Sequence, residues 1–367
     1  MASIDVSCTN APPLRAARSS VRTWLFAVAV LIFVMVLIGG ATRLTESGLS
    51  ITQWKPVTGV IPPLSVADWQ AEFDHYKQIP QFALLNRDMT IEGFKTIFWW
   101  EWSHRLMARI VGAAFVLPAL WFWTRGELKG ALGRQVAVAT GLLALEPIVG
   151  WWMVSSGLNE RTEVAQERLA LHLMIAAATF AALIYAGVGF SERTRASVPR
   201  GFVGCAAAFA VLVWLQLGLG ALVAGLRAGL IYDNWPLMGA RFIPGEAFGS
   251  LRSPFDDPAT AQFDHRMIAY AIVAFALVQA FVALRAAPPA LTQRAALIAG
   301  VAALQAGLGV ATLIFAVPVA LALAHQATAL VLLGLAVWHW RATLMERAGE
   351  LSALRELPSS VPEMGRG

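Results

Sequence analysis

The residues best equipped for chemistry lie at the outer mouth of one hydrophobic stretch, Phe98-Trp99-Trp100-Glu101-Trp102-Ser103-His104-Arg105. In a helix, Glu101 and His104 stand one turn apart and point the same way. A carboxylate there can take a proton or hold a water, and an imidazole can ligate a metal or pass a proton. A second version, Gln262-Phe263-Asp264-His265-Arg266, keeps the His-Arg pair but has Gln262 where Glu101 stood. An amide cannot take that proton, so the two copies differ in one chemical respect.

The elements that carry these motifs are membrane spans. The chain has 367 residues, 57% hydrophobic and only 14% charged, where a soluble protein carries roughly a quarter charged. Its apolar runs reach about 20 residues, the length that crosses a bilayer. The fold class is an all-α polytopic membrane protein with eight transmembrane helices arranged as two repeated four-helix bundles. The spans run approximately Val21–Thr42, Ile97–Trp123, Gln135–Val154, Leu169–Phe190, Phe202–Leu226, Phe263–Leu284, Ala295–Phe315 and Ala320–Arg341. Arg15, Arg18 and Arg22 precede the first, which lacks a clear cleavage site and reads as a retained helix.

Basic residues set the orientation. Arg125, Lys129 and Arg134 follow span 2, and Arg193, Arg195 and Arg200 follow span 4. Arg285 and Arg294 follow span 6, and Arg341, Arg347 and Arg355 follow span 8. All fall on the face of the N-terminal arginines, which the positive-inside rule makes cytoplasmic, with both termini there. The net charge of +5 thus marks topology rather than a nucleic-acid surface. Cys8 and Cys205 are too far apart in setting for a disulfide or metal site.

The opposite face carries two long loops, Arg43–Thr96 and Arg227–Gln262, of the length that commonly serves as a cover. In the first, Ser65-Val66-Ala67-Asp68 is a capping-box pattern, and Val66, Trp69, Phe73 and Tyr76 recur at helical spacing. The second is rich in Pro and Gly and reads as irregular. From about Ser352 the chain reads as a disordered tail.

The halves resemble one another. His104-Arg105-Leu106-Met107-Ala108 matches His265-Arg266-Met267-Ile268-Ala269, and Leu169-Ala170-Leu171-His172 matches Ala322-Leu323-Ala324-His325. Span 1 leads into Arg43, Gly48-Leu49 and Trp54-Lys55-Pro56; span 5 leads into Arg227, Gly229-Leu230 and Trp235-Pro236. A four-span unit keeps its orientation on repeating, giving a parallel repeat. The divisions are a tail at 1–20, an N-terminal repeat at 21–200, a C-terminal repeat at 201–345 and a second tail at 346–367.

His104, His172, His265 and His325 each lie near the start of an even-numbered span, at similar depth. Two imidazoles on facing helices of a bundle can ligate a haem iron from opposite sides. His104 with His172, and His265 with His325, give one such pair per repeat. For any single histidine the plainer reading is a hydrogen-bonded interfacial residue. A zinc site would want three or four ligands at one point. His75, in the outer helix, and His339, roughly 21 Å farther along its helix than His325, read as structural. Arg105 and Arg266 suit either haem propionates or lipid headgroups. Glu146, before Pro147 in span 3, has Gln216 and Gln305 as counterparts in spans 5 and 7, each opening a Gln-x-Gly-Leu-Gly run. It reads as either a neutral hydrogen-bonding acid or part of the site.

At these residues the sequence resembles the haem A synthase family, from about Trp24 to Arg341. The specific pieces are Gly39-Gly40-Ala41-Thr42-Arg43-Leu44-Thr45, Ser47-Gly48-Leu49-Ser50, Trp54-Lys55-Pro56, Glu101-Trp102-Ser103-His104-Arg105, Gly150-Trp151-Trp152-Met153-Val154, Ser156-Gly157-Leu158, His172, His265 and His325. The resemblance implies conversion of haem O to haem A by oxidation of a ring methyl to a formyl group, serving cytochrome oxidase biogenesis. It implies haem b between His265 and His325, the substrate haem near His104 and His172, and a role for Glu101 in activity. No cysteine pair stands in an outer loop, which places the chain with the cysteine-free proteobacterial and mitochondrial branch.

The mechanism expected is stepwise, through a hydroxymethyl intermediate, with Glu101 handling protons or positioning water beside His104 and the haem between His265 and His325 moving electrons. Haem O synthase and oxidase assembly factors are the expected neighbours, with membrane lipids and an unidentified electron donor or acceptor. The location expected is a bacterial inner membrane, with the haem sites near the periplasmic side. Rival readings are a di-haem b electron-transfer cytochrome, which leaves Glu101 without a task, and a haem carrier or assembly factor without catalysis. A transporter fits least, since no span has a central break with a midplane charge pair.

Overall fold

The structure is a computed structural model describing residues 11–190, 197–245 and 248–356, with side chains described from 19 to 351. Cys8, Arg193, Arg195 and the side chains of Arg15, Arg18 and Arg355 lie outside the described residues. Among the described residues eight helices are long and apolar enough to cross a membrane. They are α1 (Ala11–Leu44), α4 (Ile91–Thr124), α5 (Gly130–Ser155), α6 (Gln166–Val188), α7 (Phe202–Gly225), α9 (Pro258–Ala286), α10 (Pro289–Ile314) and α11 (Val319–Glu356). Three shorter helices, α2 (Val66–Tyr76), α3 (Pro80–Leu85) and α8 (Ser253–Asp256), lie in the two loops. The chain is a multi-pass, all-helical membrane protein.

The helices follow the sequence expectation closely and differ at their ends for local reasons. Helix α4 begins at Ile91, not Ile97, because the Thr90 side chain accepts the Gly93 amide and Phe94 and Phe98 pack into a second core with residues of the first loop. Helix α9 begins at Pro258, where Asp257 caps the Thr260 amide and proline fits the first turn. Helix α11 runs to Glu356, past the expected tail start at Ser352. Within it Glu346 is buried against Arg294 of α10 through two hydrogen bonds of 2.8 and 3.0 Å, which extends packing beyond Arg341. Residues 357–367 of the expected tail lie outside the described residues.

Helices α1, α6, α7 and α11 form the centre. Leu25, Val28, Ile32, Phe180, Leu183, Phe209, Val213, Leu330 and Leu333 fill the space between them. Helices α4 and α5 stand on one side of this centre, α9 and α10 on the other. The sides are unequal: α9 and α10 pack along their length, whereas α4 and α5 barely touch.

The first loop has its own core. Leu49, Ile51, Phe73, Tyr76, Ile79, Phe94 and Phe98 are buried together, and the predicted capping box closes on α2 with Ser65 and Asp68. The second loop has a one-turn helix at Ala228–Leu230, the four residues of α8 and an isolated bridge between Met238 and Arg241. An ionic cluster joins loops of both halves: Glu163 pairs with Arg43 at 2.6 Å and with Arg227, and Arg227 also meets Glu46 at 2.7 Å.

Candidate functional site

Each of the four span histidines leans on a glycine of the preceding odd-numbered span. A Cβ at Gly39 would lie 2.9 Å from Cε1 of His104, and one at Gly150 would lie 3.1 Å from that of His172. At Gly220 the distance to His265 would be 3.2 Å, and at Gly309 to His325 it would be 2.8 Å. Real side chains do not tolerate the shortest of these, so glycine lets each imidazole rest on a neighbouring backbone. The residue four positions before each glycine is, in order, Met35, Glu146, Gln216 and Gln305. Helical spacing puts it one turn away on the same face.

In the C-terminal half the ring centres of His265 and His325 are 6.3 Å apart, with planes 76° to one another. Two imidazoles binding one iron from opposite sides hold their centres roughly 6 Å apart: two metal–nitrogen bonds of about 2 Å plus half of each ring. The pair therefore fits a haem iron. Gln216 Nε2 lies 3.1 Å from His265 Nδ1, and Gln305 Nε2 lies 3.4 Å from His325 Nε2. Among the described residues no group of three or more His, Cys, Asp or Glu side chains is placed to hold a metal ion.

In the N-terminal half His104 and His172 come within electrostatic reach of each other. The Nδ1 of His104 is buried without a hydrogen bond. The Nδ1 of His172 lies 2.5 Å from Glu146 Oε2, at contact distance but off the line of a hydrogen bond.

Glu101 is 3% exposed and fully engaged. Its Oε2 accepts the Ser50 hydroxyl and the Ile51 amide, both at 2.8 Å, and its Oε1 accepts two donors of Arg105 at 2.5 and 3.0 Å. Arg105 also donates to the Ile51 and Gln53 carbonyls at 2.6 and 3.0 Å. The second half repeats the plan with weaker chemistry. Arg266 donates to the carbonyls of Tyr232, Asn234 and Leu237, and Gln262 donates to that of Tyr232. One turn below, Arg109 holds the carbonyls of Lys55 and Pro56, while Trp235 donates to the Tyr270 hydroxyl. Both arginines expected at propionates or headgroups thus latch an outer loop to its span.

One numbering offset relates Gly39 to Gly220, Ile51 to Tyr232, Gln53 to Asn234 and Trp54 to Trp235. That offset sets Glu46, rather than Arg43, against Arg227, and both residues adopt left-handed backbone, φ 55° and 50°. His75 sits beside the Gln53 amide, and His339 is buried against Phe202 at the inner end of α11. Both stand apart from the paired histidines.

Sequence reading singled out all four histidines, Glu101 and Glu146 as candidates. It missed the glycine seats, although the two Gln-x-Gly-Leu-Gly runs end on two of them, and it missed Ser50 and Arg109. Ser50 reaches Glu101 across a loop, and no local pattern marks such a contact.

These features define a polytopic membrane protein with paired imidazoles in its spans. The sequence matches the COX15-CtaA family of cytochrome oxidase assembly proteins over residues 22–337, and the chain belongs to that family. It is 51% identical to a heme A synthase of Rhodopseudomonas palustris (strain BisA53), over 89% of this chain and 91% of the relative. A heme A synthase of Bradyrhizobium sp. (strain ORS 278) is 49% identical over 97% of each chain. One of Mesorhizobium japonicum is 46% identical over 89% and 91%.

Proposed function

We propose that this chain is a membrane oxidoreductase that converts haem O to haem A, oxidising a ring methyl to a formyl group through a hydroxymethyl intermediate. The observation that carries the reading is a pair of matched imidazole sites, one flanked by carboxyls and the other by amides, in a chain half identical to heme A synthases.

His265 and His325 hold a resident haem b, whose iron supplies single-electron transfer. His104 and His172 hold the substrate haem. The loose contact of α4 with α5 favours that half for a group that must enter and leave. Glu101 sits one turn from His104 and takes protons or positions water there, while Ser50, Ile51 and Arg105 fix its carboxyl. Arg105 and Arg266 hold the outer loops over the two sites and remain candidates for the propionates. The N-terminal repeat is the substrate half and the C-terminal repeat the haem b half. The histidine ends of the spans face the periplasm, since Arg125, Lys129, Arg285 and Arg341 lie at the other ends. Haem O synthase and oxidase assembly factors are the neighbours this role requires.

The test is chromatography of haems extracted from the purified protein, expressed with and without a haem O supply. Haem A or its hydroxymethyl precursor is expected only with haem O, beside constant haem b. Haem b alone in both preparations would sink the synthase reading in favour of an electron-transfer cytochrome.

A further inference from the structure

Glu146 has no task in the reaction described above. It lies mid-helix in α5, is 6% exposed, and neither carboxyl oxygen has an aligned hydrogen-bond partner. A buried carboxyl without partners is costly, so its retention calls for one. The nearest polar group is the Nδ1 of His172, 2.5 Å from Oε2. The Nδ1 likewise lacks an aligned partner. Gly150 lets the ring sit beside the α5 backbone one turn from Glu146, because a Cβ there would lie 3.1 Å from Cε1.

The other three histidines lack this arrangement. His265 and His325 face the amides of Gln216 and Gln305. The corresponding position for His104 is Met35, whose side chain is a thioether and carries no carboxyl. One imidazole of four therefore has a carboxyl at its far nitrogen.

We propose that Glu146 is the positioning residue for the haem ligand His172: it accepts the Nδ1–H, turns Nε2 toward the substrate iron and makes this imidazole the strongest electron donor of the four. A carboxylate behind a ligating histidine fixes its tautomer and raises its basicity. This rests on the reading that the substrate haem lies between His104 and His172. The consequence is an iron in the N-terminal half held at lower potential than an amide-backed histidine would set.

The experiment uses the full-length purified protein, reconstituted with haem O under anaerobic conditions. Midpoint potentials and low-spin ferric EPR g-values are recorded for each haem in wild type, E146Q, Q216E and H172A. E146Q copies the second half, so the haem b signal should stay unchanged. The substrate-half haem should move to higher potential with altered g-values, and its retention should fall about 10–100-fold. Q216E, which puts a carboxyl at the Nδ1 of His265, should shift haem b in the opposite direction. Unchanged potential and g-values of the substrate-half haem in E146Q would overturn the proposal. If E146Q loses both haems through misfolding, Q216E decides, and an unmoved haem b potential overturns it. H172A separates the two levels. A substrate-half signal that survives H172A removes the site reading itself, whereas one lost in H172A yet unmoved in E146Q removes only the role of Glu146.

Discussion

The N- and C-terminal halves place histidine, arginine and glycine at equivalent points, yet differ in what surrounds them. In the second half the imidazoles are backed by amides, Gln262 holds the loop carbonyl of Tyr232, and α9 packs closely on α10. In the first half carboxyls stand at two of the equivalent places, Glu101 and Glu146, and α4 and α5 barely meet. On the proposed reading, a ligand pair alone does not decide between holding a cofactor and transforming a substrate. Buried carboxyls and a loosely packed flank beside the same kind of pair are what differ between the halves.

The largest effect should come from the ligands. His265→Ala should remove haem b and abolish conversion, whereas His104→Ala should abolish conversion with haem b retained; haem-to-protein ratio and product chromatography read both. Equal loss of haem b from the two variants would erase the division of labour. Next is the acid. Glu101→Gln should lower conversion by about 10²–10⁴-fold with haem b intact, while Gln262→Glu should change it little. Retained conversion in Glu101→Gln would leave this residue a loop latch only. The glycine seats come third. Gly309→Ala drives a methyl to 2.8 Å from His325 and should destabilise the C-terminal half by about 1–3 kcal/mol, lowering haem b occupancy. Gly150→Ala should spare haem b and weaken only substrate-half retention.

The smallest effect concerns the first loop, which alone has a capped helix. The Ser65 hydroxyl and then its amide hydrogen-bond to Asp68, holding that carboxyl below its ordinary 3.8. A depressed folded value means the contribution is present above the ordinary value and lost as pH falls through the folded one. Protease nicking within residues 65–76 should therefore rise below about pH 4, and Asp68→Asn should show the raised nicking already at neutral pH.

Much of this was legible in the sequence because bilayer length and histidine placement are strong constraints. Eight spans followed from apolar runs, and the four histidines from their equal depth. The helix at Val66–Tyr76 followed from its capping box and period. What stayed hidden was set by distance in sequence. The Ser50–Glu101 bond and the Arg109 contacts to Lys55 and Pro56 link residues that no periodicity relates. The glycine seats were hidden for a different reason: a glycine in a span reads as close packing in general, and only three dimensions say which side chain comes near. The expectation for Arg105 and Arg266 had the charge right, but the loop carbonyls that use it lie beyond any local signal.

The ion pair between Glu46 and Arg227 bears on the symmetry of the halves. The two residues occupy equivalent places and the same unusual backbone region, yet bear opposite charge. Two identical four-span chains associating about a twofold axis would bring glutamate to glutamate, or arginine to arginine. This bond requires different residues at the two equivalent positions, which two stretches of one chain can carry. The unlike pair is a contact that strict symmetry between the halves would forbid.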